Sequence, residues 1–297
     1  INPNVMGGAL VLIMPMALAL TMPGWGWRKE GGGWMRGRGG ARRHLLGVAM
    51  GLSFLLMAFV LFFTISRGAY IAIAAALLVV AVLRSRWFLA GLPLGLAGLG
   101  VAWWRLGGQP LADLLMTTQA IGGWEGRQEV WSRAIYMMQD FPFTGVGMGT
   151  FNQVANVMYP FFLHGPQAEI GHAHNLFLQV GVDLGYPGLI AYLALLLLCF
   201  WTAWQTYRRG SQGKGVTRRE EDTDRRRGEV AQRDLAANSH LPSSFQAPLS
   251  VGLLGSLTVL VVHGLTDAVM WGTKPAVVAW AVLGLTVAFH DTTSTSR

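Results

Sequence analysis

Long apolar runs separated by short polar breaks are the feature that most restricts this chain. A hydrocarbon core about 30 Å thick is crossed by roughly 20 helical residues, and no backbone group can be left unpaired inside it. Runs of that kind lie at 5–22, 44–65, 69–83, 87–104, 176–206, 249–268 and 275–290, about seven spans in all. The run 69–83 is short for a full crossing. Composition agrees: 13% of the 297 residues are charged and 52% are hydrophobic, against about 25% charged in soluble domains. The expected fold class is an all-α polytopic membrane protein.

The net charge of +8 raises the question of nucleic acid, and its distribution answers it. Of the 23 Lys and Arg, 18 fall in 23–43, 84–86, 207–247 and at the end of the chain. The other five are Arg67, Arg105, Arg127, Arg133 and Lys274. With seven spans, the two groups fall on opposite sides, which is the positive-inside pattern. It puts segment 105–173 outside and segment 207–247 inside, with no nucleic-acid partner. Segment 207–247 mixes nine basic with six acidic residues and reads as a flexible cytoplasmic linker. Segment 23–43, rich in Gly, Arg and Trp, reads as an inner loop. The chain opens INPNVMGGAL, without an initiator Met or a charged lead-in, and reads as the C-terminal part of a longer protein forming one membrane domain over 1–297. Cys199, the only cysteine, lies within a span, which excludes disulfides and Cys-based metal sites.

Segment 105–173 is too long to be a passive connection. Residues 125–140 read as an amphipathic helix with Trp124, Trp131, Ile135 and Met138 near one face. Pro142 and the run Gly145-Val146-Gly147-Met148-Gly149 end it, and a second helix is expected over 151–163. The loop is thus expected to be structured and to lie at the bilayer surface.

Four polar constellations interrupt the apolar pattern, and ionisable groups next to lipid are functional-site hypotheses by default. Ser66-Arg67-Gly68-Ala69 separates two apolar runs, so Arg67 sits at the edge of the bilayer, either snorkelling to lipid phosphates or holding a ligand. Arg127 begins the amphipathic helix, where a guanidinium and free amides suit an anion; pairing with Glu125 or Glu129 is the alternative. In the stretch 172–188, a helix starting at His174 would put Asn175, Gln179 and Asp183 on one stripe at i, i+4, i+8 and divide His172 from His174. That stripe faces a cavity or forms an interhelical seam. His263 and Asp267 form an i, i+4 pair, with a link from Asp267 to Lys274 or an arginine as the bland reading. Gly145-x-Gly147-x-Gly149 lacks the spacing and strand of a dinucleotide fingerprint. His172-x-His174 with His164 has no carboxylate or cysteine at a recognisable ligand spacing, so no metal is expected.

All four constellations fall on the outer face, and their motifs carry a resemblance. Asn2-Pro3-Asn4-Val5, Ser66-Arg67-Gly68-Ala69, Gly126-Arg127 with Trp131, Phe141 to Phe151, His174-Asn175 followed after nine residues by Gly185-Tyr186-Pro187-Gly188, and His263 to Asp267 occur in order over nearly the whole chain. In this order and spacing the chain resembles the O-antigen ligase and O-antigen polymerase superfamily of bacterial membrane glycosyltransferases. Family members carry further spans ahead of the first motif.

The resemblance implies a GT-C-like helical fold in the bacterial inner (cytoplasmic) membrane, with an outward-facing site. It implies inverting transfer of a glycan from a polyprenyl diphosphate carrier to a glycan, lipid or protein hydroxyl, without metal, nucleotide or other cofactor. On that basis Arg67 and Arg127 would hold the diphosphate and His174 would orient or deprotonate the acceptor. Asn175, Gln179 and Asp183 would position His174 or the sugar, with His172, His263 and Asp267 lining the substrate. Two rivals remain: a transporter of a small anion such as bicarbonate, since 150–160 resembles members so labelled, and a non-catalytic assembly partner.

Overall fold

A computed structural model describes residues 3–21, 38–85, 88, 101, 105, 124–165, 168–224, 243–268 and 270–294. The expected span 87–104, apart from residues 88 and 101, and residues 225–242 of the linker lie outside them. Among the described residues there are eight helices and no strand: α1 (Pro3–Thr21), α2 (Arg38–Thr64), α3 (Arg67–Arg84), α4 (Trp124–Asp140), α5 (Phe151–Met158), α6 (Leu176–Asp224), α7 (Ser243–Gly264) and α8 (Ala276–Ser294). Five are long and apolar enough to cross a membrane: Asn4–Thr21, Leu45–Thr64, Arg67–Arg84, Leu176–Arg209 and Ala247–Gly264. Ala276–His290 is a shorter apolar helix. The chain is an all-α, multi-pass membrane protein.

Helix α7 is the centre of the bundle. In its apolar window 78% of residues are buried, against 6% for α2, whose Leu52, Leu55, Leu56, Phe59, Phe62 and Phe63 face outward as lipid-exposed residues should. α1 and α3 run antiparallel to α7 and lie against it through small residues, as is usual where helices cannot rely on hydrophobic exclusion. A Cβ on Gly8 would lie 2.9 Å from His263 Cε1. These crossings bring the start of α1, the α2–α3 turn, the start of α6, the end of α7 and the start of α8 to one end of the bundle.

Helices α4 and α5 cover that end as a small subdomain. Its core joins Val130, Ala134, Met137 and Met138 of α4 to Phe151, Ala155, Phe161, Ile170, Ala173 and Val182. Of the four residues read from sequence as one face of α4, the buried face takes only Met138. Gly126, Val130, Ala134, Met137 and Met138 are buried, whereas Trp124 and Ile135 are exposed. The stripe with the smaller residues permits close packing, with the Trp124 ring outside and Trp131 half-buried. α5 also stops at Met158, short of the expected 163, because Pro160 biases Tyr159 away from helical geometry.

Past Pro160 the chain is held by one carboxylate. Glu129 of α4 accepts hydrogen bonds from the Phe162 amide (2.5 Å), the Leu163 amide (3.1 Å) and His164 Nδ1 (3.0 Å), with Arg133 at 3.6 Å. Burial alone would raise its pKa. The His164 bond and the backbone amides outweigh burial and hold it below the ordinary carboxylate value.

Candidate functional site

The stretch 172–188 is built differently from one continuous helix. α6 begins at Leu176, two residues later than the sequence pattern implied. Asn175 is its cap: Oδ1 accepts from the Phe177 amide (3.0 Å) and the Leu178 amide (3.1 Å), filling two of the amides that a helix start leaves open. Asn175 Nδ2 donates to the Leu265 carbonyl (3.2 Å), which ties the cap to the end of α7. Because residues 172–175 are not helical, the expected division of the two histidines does not occur. Their rings pack edge to face with centroids 4.4 Å apart.

Ten residues on, α6 breaks at Gly185, which has φ 70° and ψ −176°. The break explains both glycine motifs. In an unbroken helix the Asp183 carbonyl would pair with the amide of residue 187, but Pro187 has none. Gly147 N–H takes that carbonyl instead (3.2 Å), and Val146 N–H takes the Val182 carbonyl (2.7 Å). The Tyr186 amide turns outward to the Pro142 carbonyl (2.7 Å). The Gly145-Val146-Gly147 run thus supplies the bonds that the Gly185-Tyr186-Pro187 break releases, and it locks the loop subdomain onto α6.

The remaining groups converge on the loop after α7. The amides of Thr266 and Asp267 both donate to the His263 carbonyl (2.9 Å each), so the chain makes a tight turn there. Asp267 is buried, with Oδ1 accepting from the Ala268 amide at 2.8 Å. His172 Nδ1 and His174 Nδ1 lie 3.8 and 3.7 Å from the same oxygen. Arg127 reaches in from α4, its Nη1 donating to the Thr266 carbonyl at 2.5 Å. Glu129, the acid expected as an alternative partner of Arg127, has Arg133 as its arginine neighbour. The side chains beside the Asp267 carboxylate are likewise those of His172 and His174. Arg67 is exposed at the start of α3, and the next residue, Gly68, lies against Thr266 and His263.

Electrostatics sort these groups. Burial alone would raise the Asp267 carboxyl, but His174, His172 and His263 around it hold it below the ordinary value, so it stays ionised. Burial, then the neighbouring His174, and also the Arg127 charge push the His172 imidazole down, against the pull of Asp267. A neutral His172 fits its bonding, because Nδ1 accepts from the His174 amide at 3.2 Å. That acceptor is committed to holding the backbone. His174 Nδ1 is buried without a hydrogen bond, facing Asp267, while the side chain as a whole is 35% exposed. The accessible edge of its ring is therefore the one away from Nδ1. His174 also has φ 48°, and Ile65, beside Ser66 and Arg67, has φ 50°. Non-glycine residues rarely adopt this region, and such strain clusters at functional sites.

Gln179 and Asp183, expected to position His174 or a sugar, are buried with their polar atoms engaged by protein partners. Gln179 Oε1 accepts from the Ala173 amide (2.7 Å), and its Nε2 donates to Asp183 Oδ1 (2.8 Å). Asp183 Oδ2 accepts from Trp271 Nε1 (2.8 Å). Sequence spacing gave no warning of Trp271, 88 positions from Asp183, nor of the Thr266 carbonyl, a backbone group that any residue would offer.

The structure also supplies the carboxylate that sequence spacing did not add to the His172–His174 pair. The ligand atoms of His172, His174 and Asp267 lie within 4.8 Å of one another. Donors about 2.1 Å from one zinc ion lie at most about 4.2 Å apart, so a spread as wide as 4.8 Å would have to contract before one ion touched all three.

Residues 52–193 match the model of a family described as O-antigen ligase. The match runs from α2 to just beyond the break in α6. It includes Arg67, Arg127, His172, His174, Asn175, Gln179 and Asp183 and stops before His263 and Asp267. No curated protein matches the chain.

Proposed function

Taking residues 52–193 as a segment of the O-antigen ligase family, we propose that the chain transfers a glycan from a polyprenyl diphosphate carrier to an acceptor hydroxyl at the outer face of the bacterial inner membrane. The family match supports glycan transfer in general. The carrier, the orientation and the roles below are our reading of the site.

The observation that carries this reading is the buried Asp267 carboxyl facing His174 Nδ1 at 3.7 Å, with the opposite edge of the imidazole accessible. A base oriented by a buried carboxylate is the arrangement that acid–base catalysis needs. The acceptor hydroxyl oxygen attacks the anomeric carbon as its proton passes to His174 Nε2. The bond from that carbon to the diphosphate oxygen breaks with inversion, and polyprenyl diphosphate leaves with the electron pair. Arg127 and Arg67 offset the charge that grows on the leaving oxygens. Holding Arg127 at the Thr266 carbonyl fixes its guanidinium before substrate arrives. His172 and Asn175 hold the segment that carries His174, and His263 lies beneath Asp267.

Orientation and activity are tested together. Val157 on α5 is 82% exposed, and Cys199, the only native thiol, is buried. In intact cells a Val157→Cys chain is expected to react with a membrane-impermeant thiol reagent. Reaction only after permeabilisation would put the site on the inner face. In a strain lacking the gene, loss of all long surface glycan from its anchor identifies a ligase, and retention of a single repeat identifies a polymerase. An unchanged glycan pattern contradicts the proposal.

A further inference from the structure

We propose that Trp271 is a positioning residue for glycan transfer, acting through Asp183 and Gln179 on the backbone that carries His174. The proposal rests on the reading of His174 given above. It concerns a residue outside the family match and outside every motif that the sequence displays.

The case rests on the direction of each hydrogen bond. Trp271 Nε1 can only donate. It donates to Asp183 Oδ2 at 2.8 Å. The other carboxylate oxygen accepts from Gln179 Nε2 at 2.8 Å, which fixes the amide so that Gln179 Oε1 accepts from the Ala173 amide at 2.7 Å. Every donor in the chain therefore points toward Asp183, and each link permits only one orientation of the next. Gln179 and Asp183 are buried and Trp271 is 8% exposed, so water cannot replace a missing link. The far end of the chain is the amide between His172 and His174, in the turn where His174 takes φ 48°. Trp271 itself is held by Tyr192 at 5.4 Å and Trp280 at 6.0 Å between ring centroids. The loop after α7 thereby sets Asp267 directly and sets His174 from behind.

Polarity makes the proposal testable with nearly isosteric changes. In Asp183→Asn the new amide nitrogen must face either Gln179 Nε2 or Trp271 Nε1, both donors. One link then meets donor against donor. Trp271→Phe keeps an aromatic ring and removes its donor, so adding it to Asp183→Asn relieves the clash and lets Asn Oδ1 keep Gln179 in register. We expect Trp271→Phe to lower kcat by about tenfold and Asp183→Asn by about 10- to 100-fold, the range expected for one mispaired buried group. The double variant should be faster than Asp183→Asn alone. KM for the lipid-linked donor should stay near the wild-type value in all three, since the arginines are untouched.

The four purified chains are compared by initial rates per folded molecule and by hydrogen exchange at residues 172–176. Exchange should be fastest in Asp183→Asn and slower again in the double variant. A double variant whose losses multiply, or an Asp183→Asn chain with wild-type kcat, overturns the proposal. A wild-type chain without transfer activity overturns the functional reading instead. The exchange pattern alone would then decide whether Trp271 orders the His174 segment.

Discussion

His174→Asn should slow transfer severely and leave the protein folded. Asn is among the few residues that adopt the left-handed region readily, so it accepts the φ of 48° at this turn more easily than the native histidine. It cannot take a proton near neutral pH. The loss is that of a general base, about 10²- to 10⁴-fold in rate. The melting temperature should stay within a few degrees of wild type, because the buried Nδ1 makes no hydrogen bond that Asn would forfeit. His172→Ala should cost less, about tenfold, since His172 contributes an acceptor for the His174 amide and not the proton transfer itself. Initial rates per folded molecule separate the two. Near-normal transfer by His174→Asn would remove His174 from the chemistry, and a larger loss from His172→Ala would exchange their roles.

The second large effect is structural. At Gly145 (φ 64°) an added Cβ would lie 2.5 Å from the Asp183 carbonyl carbon and oxygen and from the Val182 oxygen. At Gly185 (φ 70°) it would lie 2.6 Å from the Pro142 carbonyl oxygen and 2.7 Å from the Phe143 carbonyl carbon. These neighbours are backbone, so no side chain can swing aside. The clash adds to the cost of a left-handed alanine, and separating the two segments would break the bonds at Val146, Gly147 and Tyr186. Gly145→Ala and Gly185→Ala should each destabilise by at least about 3 kcal/mol, with transfer lost because α4 carries Arg127. Gly171→Ala, where a Cβ meets nothing within 4 Å and φ is not left-handed, is the control and should be neutral. Thermal unfolding in detergent measures all three. Wild-type stability in Gly145→Ala would mean the two glycine motifs do not dock.

Much of this architecture is legible in the sequence, for physical reasons. The apolar runs give the spans because a bilayer leaves the backbone few options. The polar constellations stand out because Asp183 and Asp267 are the only Asp, Glu, Lys or Arg within those runs. The contents of the site are thus visible, and its connections are not. Helical spacing divides His172 from His174, yet Asn175 caps a helix that starts two residues too late for that division to apply. Aromatic residues mark a face of α4, yet the packed face is the one with Gly126 and Ala134, since close approach favours small side chains. Gly145–Gly149 fails as a nucleotide loop, and its use appears only beside Pro187, where two missing backbone bonds need replacing. Trp271 and the Thr266 carbonyl join the site through contacts between distant segments, which no local period encodes.

The most direct test uses the purified chain in detergent with a polyprenyl-diphosphate-linked glycan and a hydroxyl acceptor, following both acceptor glycosylation and free polyprenyl diphosphate. Wild type should form the two products in equal amounts, and Arg127→Ala, folded to the same extent, should form neither. Absence of transfer by the folded wild-type chain, or an unimpaired Arg127→Ala, would contradict the account.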